Sequence, residues 1–140
     1  MKTKNIISLL LRLVVAVIFV QTLYFKFTGH PDSVHIFSEL GVEPYGRIGL
    51  GVVELITAVL ILIPRTKILG IFLSFGIISG AIFSHFLVLG TEVQGDGGGL
   101  FTLALIVMAA CIALSFIHKE EIQNFIKWIF ARNHLNQQIQ

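Results

Sequence analysis

The stretch Ile68–Leu89 reads ILGIFLSFGIISGAIFSHFLVL, twenty-two residues without an Asp, Glu, Lys or Arg. A helix needs ~20 predominantly apolar residues to cross the hydrocarbon core of a bilayer. Irregular backbone cannot face lipid, because its amide groups would go unpaired. The stretch therefore reads as a transmembrane helix. Working outward, Ile6–Thr28, Arg47–Ile63 and Leu100–Ile117 meet the same requirement, the second being the shortest. Breakers separate the four runs: Gly29-His30-Pro31-Asp32, Gly41-Val42-Glu43-Pro44, Pro64-Arg65-Thr66-Lys67 and the glycine-rich loop Gly90–Gly99. Between the first two breakers, Ser33–Leu40 has the spacing of a short interfacial helix.

Composition agrees. Of 140 residues, 55% are hydrophobic and 13% charged, with mean hydropathy +0.88. A soluble domain carries ~25% charged residues. Half that charge cannot cover a soluble globule, which excludes a water-soluble enzyme, a disordered chain and a nucleic-acid binder. The first run follows Lys2 and Lys4 but exceeds the ~7–15-residue core of a secretory signal, so it reads as a retained span.

Residues 1–117 thus form a four-helix transmembrane bundle, and 118–140 a different segment. There Ile122, Phe125, Ile126, Ile129 and Phe130 recur at helical spacing opposite Glu120, Glu121, Gln123, Asn124 and Lys127, with Trp128 at the flank. The pattern is that of an amphipathic helix lying in the membrane surface. The same pattern fits a helix packed on a partner protein. The tail, Asn136–Gln140, is expected to fray. Eight basic residues (Lys2, Lys4, Arg12, Arg65, Lys67, Lys119, Lys127, Arg132) fall on one side, and Lys26 and Arg47 on the other. That bias places both termini in the cytoplasm. Arg12, near the inner end of its span, is expected to snorkel.

Within the spans, Gly76-x-x-x-Gly80-x-x-x-Ser84 reads as a close-packing stripe inside the bundle. Gln21, Lys26, Glu54 and His85 are the polar residues least expected in an apolar run. At 1.5 Å per residue, Lys26 lies ~30 Å above Ile6, Glu54 ~10 Å below Arg47 and His85 ~26 Å above Ile68. Three helices therefore bring ionisable groups to one outer leaflet, where an unpaired charge is costly. Thr22 and Thr57 add hydroxyls within about a turn of Lys26 and Glu54, and Arg47 with Asp96 is expected to form a lid. Two readings stand side by side: a ligand or proton-handling pocket that opens outward, or a polar lock that fixes helix register. The lone Cys111 reads as a structural thiol, and neither a metal nor a haem is expected.

At this point the residues resemble a known family. Gln21-Thr-Leu-Tyr-Phe-Lys26-Phe-Thr28, Glu43-Pro-Tyr-Gly-Arg47, Gly51-Val-Val-Glu54-Leu55, Pro64-Arg-Thr66, Gly80-Ala-x-x-x-His85 and Asp96-Gly-Gly98 occur in the order seen in bacterial DoxX-like proteins. The resemblance covers roughly residues 6–117. It implies a four-helix protein of the bacterial inner membrane. The family takes its name from a subunit of an archaeal thiosulfate:quinone oxidoreductase, and other members belong to oxidoreductase assemblies that handle oxidative stress. Distantly similar four-helix proteins are chaperones or cargo receptors.

The functional expectation is a membrane component of a quinone-linked redox system. His85, Glu54 and Lys26 carry the chemistry, and Gln21, Thr22, Arg47, Thr57 and Asp96 line the pocket. The chain lacks a redox-active cysteine pair of its own, so a partner oxidoreductase supplies electrons. The alternative is a non-enzymatic chaperone or assembly factor that binds partner spans, with a homo-oligomer as a further form of association.

Overall fold

The structure, a computed structural model, describes residues 2–138 and the side chains of residues 2–132. The end of the expected frayed tail lies outside the described residues. Every element is helical: α1 (Lys2–Thr28), α2 (Pro31–Glu39), α3 (Tyr45–Leu62), α4 (Lys67–Ser84), a π-helical continuation of α4 (His85–Leu89), α5 (Gly99–Ile117) and α6 (Lys119–Gln138). Among these, α1, α3, α4 with its continuation, and α5 are long and apolar enough to cross a membrane. Helix α2 begins two residues before the expected Ser33. Pro31 fits the first turn, where its missing N–H costs nothing, and the His30 ring accepts a hydrogen bond from Asp32 N at 3.4 Å.

The neighbours run α1–α3–α4–α5 in a ring, with α5 packing back on α1. The buried positions of α1 are Ser8, Arg12, Val15, Ala16, Phe19, Leu23 and Lys26, a stripe at three- and four-residue spacing. It is apolar in the middle and polar at both ends. Helix α3 repeats the pattern with Arg47, Gly51, Glu54, Thr57, Ala58 and Ile61. Val15, Ile61, Ile71, Val107, Cys111 and Leu114 form the sealed centre of the core. Large side chains such as Val17, Ile56, Phe86 and Phe116 point outward, each more than half exposed. Contiguous exposure on this scale fits lipid as the surrounding solvent.

Two details fix how α1 and α3 sit together. Arg12 does not snorkel: it is buried, and its guanidinium donates to the carbonyls of Ile61 and Leu62 at 3.3 Å each. These are among the carbonyls that the last turn of α3 leaves without helical partners, at the negative end of its dipole. At the other end of the same pair, Arg47 of α3 donates to the carbonyl of Lys26 in the last turn of α1. Each helix thus caps the other. Between α3 and α4 the approach is closest at Gly70, where a Cβ would stand 2.5 Å from the backbone of Ile61.

Candidate functional site

The site grows from the outer half of the α1 and α3 stripes. Lys26 Nζ lies 2.9 Å from Glu54 Oε2, and both residues are buried. Thr22, one turn before Lys26, places its hydroxyl 3.0 Å from the same oxygen and 2.9 Å from its own helix's Phe19 carbonyl. Pairing offsets the cost of holding two charges away from water. The pair uses only part of its capacity. Among the described residues, Glu54 Oε1 and the remaining protons of Lys26 Nζ have no partner in the chain.

These groups face a cavity of about 400 Å³ whose walls are mostly apolar. Ile18 and Phe19 of α1, Leu50 of α3 and Leu103 of α5 form its sides, and Phe37 of α2 covers it. The stripe Gly76, Gly80, Ser84 forms the α4 wall. It is not a packing seam at these two glycines: a Cβ added at Gly76 or Gly80 would meet no atom within 4 Å. The small residues leave a space instead of closing one.

His85 lines the same cavity where α4 passes into its π-helical turn. Such turns recur at functional sites. The wider turn is closed by Gly90 N donating to the His85 carbonyl at 2.8 Å. The Gly90 carbonyl in turn lies 2.7 Å from His85 Nδ1. Gly90 holds φ +74°, a conformation that glycine adopts without strain. Phe101 meets the imidazole edge-on, with ring centres 5.3 Å apart. Among the described residues, Nε2 has no hydrogen-bond partner.

Four expected members stand elsewhere. Gln21 is exposed and borders a separate apolar groove between α1 and α3. Thr57 is sealed in the core and bonds back to the Val53 carbonyl at 2.7 Å. Arg47 pairs with Glu43 at 2.7 Å in addition to capping α1. Asp96 turns onto its own loop, accepting from the amides of Val93, Gly98 and Leu100 at 2.9 Å each. The Leu100 amide foremost, with that of Val93, holds its carboxyl below the usual carboxylate range. Arg47 therefore caps the end of α1, Asp96 caps its own loop and the start of α5, and the two do not meet as a lid.

The sequence model of the DoxX-like family matches residues 10–114. The chain belongs to the DoxX-like family. The match takes in all of the cavity-forming parts of α1, α3, α4 and α5, including Lys26, Glu54 and His85. No curated protein and no solved structure matches the chain. Helix α6 of this DoxX-like protein lies beyond the matched region.

That helix is tied to the bundle by a second polar cluster, whose members sequence reading did not bring together. Ser8 Oγ lies 2.7 Å from His118 Nε2, and His118 Nδ1 lies 2.8 Å from Glu121 Oε1. Lys67 Nζ reaches Glu121 Oε2 at 2.9 Å. The order Ser–His–Glu is that of activated-serine hydrolases. Here Ser8 is only 2% exposed, and neither cavity described above reaches it. The cluster instead joins α1, α4 and α6 at the end of the bundle opposite Lys26. Burial works against ionisation of Glu121, but its bonds from Lys67 and His118 outweigh that and hold the carboxyl below its ordinary value.

Proposed function

We propose that this DoxX-like protein is the membrane component of a quinone-linked redox system in the bacterial inner membrane, and that its cavity holds the ring of a lipid-soluble quinone. The observation that carries the reading is the convergence of Lys26, Glu54 and His85 on one mostly apolar cavity of about 400 Å³. A quinone ring is flat, apolar and edged by two oxygens, and it reaches such a site from the bilayer. Ligand sites of this kind are typically apolar with a few convergent polar groups. Lys26 donates to a ring oxygen, while His85 and Glu54 accept and return protons as that oxygen changes redox state. The single cysteine, Cys111, is sealed in the core, so electrons are assigned to a partner protein. The eight-to-two division of Lys and Arg supports an orientation with both termini in the cytoplasm. The cavity then sits at the outer end, and α6 lies along the inner surface.

The test is extraction of the full chain in mild detergent, analysis of co-purified lipid, and titration with decylubiquinol, the reduced form of decylubiquinone, kept under argon. Retained quinone and binding weakened ~10-fold or more by His85→Ala support the proposal, that being the scale of one lost buried hydrogen bond. Protein that carries no quinone, with titration unchanged by His85→Ala, overturns it. Recovery of a stable protein partner without quinone favours the chaperone reading.

A further inference from the structure

We infer that the cavity selects the reduced, dihydroxy form of such a ring over its dicarbonyl form; the inference rests on the quinone reading above. The Gly90 carbonyl can only accept a hydrogen bond, so His85 Nδ1, 2.7 Å away, must carry a proton. In the neutral ring this leaves Nε2 with a lone pair and no hydrogen. The tautomer is set by backbone that sequence fixes, since Gly90 at φ +74° is what aims its carbonyl at the ring. Glu54 supplies a second acceptor. Its Oε2 is engaged by Lys26 and lies within donating distance of Thr22, whereas Oε1 has no partner in the chain.

The hydroxyls of Thr22 and Ser84 also line the cavity, but their hydrogens are taken up by Phe19 O or Glu54 Oε2 and by Gly80 O, so against these two acceptors the Lys26 ammonium is the one donor with hydrogens left to give. A dicarbonyl ring has no hydrogen to give, so it leaves both Nε2 and Oε1 unpaired and away from water. A dihydroxy ring donates to either acceptor, and its oxygens still accept from Lys26. Sites built around a buried hydrogen-bonding group reject ligands that lack the matching hydrogen. Lys26 and Glu54 together also leave the site without net charge, which suits a neutral ligand over an anionic one.

The experiment titrates the detergent-solubilised full chain at pH 8, above the usual histidine range of ~6.5, with decylubiquinol kept reduced under argon and, separately, with decylubiquinone. The expected result is ~10-fold or more tighter binding of the quinol. In His85→Phe, which retains a ring against Phe101 but has no acceptor, most of that gap closes. Equal affinities in the native protein, or tighter binding of the quinone, overturn the inference while leaving the pocket reading intact. Binding of neither probe overturns the pocket reading and the inference with it. The native-protein comparison decides the matter even where the variant does not fold.

Discussion

Lys26 and Glu54 meet 2.9 Å apart on the facing stripes of two antiparallel helices, and each is the other's only charged partner among the described residues. Removing one member strands the other charge within the membrane-spanning region, a change worth ~3–5 kcal/mol for buried pairs. Lys26→Met and Glu54→Gln are each expected to lower the melting temperature of the detergent-solubilised protein sharply. The double variant is expected to recover most of the loss, because neither charge remains. Additive losses in this thermodynamic cycle would show that the pair is not coupled.

The glycines of α4 make opposite predictions along one helix. Gly80→Leu projects its side chain into open space and is expected to fold normally while excluding ligand from the cavity. Gly70→Ala forces a methyl group to 2.5 Å from the Ile61 backbone, so α3 and α4 must separate. Overpacking of this kind costs ~1–3 kcal/mol. Thermal unfolding and decylubiquinone titration of the two variants separate the roles: the first loses binding, the second stability.

Acid is expected to loosen α6 before it unfolds the bundle. The Glu121 carboxyl is depressed in the folded protein relative to the ordinary glutamate value of ~4.3. Its contacts with Lys67 and His118 therefore contribute stability above that pH and lose it as pH falls through the depressed value. Trp128 is the single tryptophan of the chain and stacks on Phe125, with ring centres 6.3 Å apart. Its fluorescence is the readout. A change below about pH 4 is expected, and Glu121→Gln is expected to show part of that change at neutral pH. A flat profile in both proteins would argue that α6 is held by its apolar contacts alone.

Asp96→Ala removes three backbone hydrogen bonds at once and is expected to cost ~1–3 kcal/mol. The Lys26–Glu54 pair and decylubiquinone affinity are expected to remain as in the native protein. A loss of affinity without a loss of stability would return Asp96 to the pocket.

The four spans were legible because a bilayer imposes one length and one composition on anything that crosses it. Lys26, Thr22 and Glu54 were legible for a related reason: four-residue spacing puts Thr22 and Lys26 on one helical face. Gln21 failed the same geometry. Five residues from Lys26 is about 140° around the helix, which turns it to the other flank. Arg47 and Asp96 find partners within four residues, so their distant pairing was the weaker option, and Glu43 four positions before Arg47 was a signal for that. Ser8 and His118 are 110 residues apart, and no spacing rule connects them. The stripe Gly76–Gly80 reads the same in sequence whether a neighbouring helix fills it or not. Only the surrounding side chains decide between a seam and a space.

The reciprocal arginines carry a consequence for the cavity they do not line. A shift of α1 along α3 by a single residue, about 1.5 Å, would carry Arg12 past the carbonyls of Ile61 and Leu62 and pull Lys26 away from Arg47. The two contacts act like the two scales of a vernier, readable together at only one setting. That setting is the one that brings Lys26 level with Glu54. The alignment of charges inside the cavity is therefore calibrated from the two ends of the hairpin, and a substitution at Arg12, a full bilayer leaflet away, would detune it without touching any group that meets a ligand.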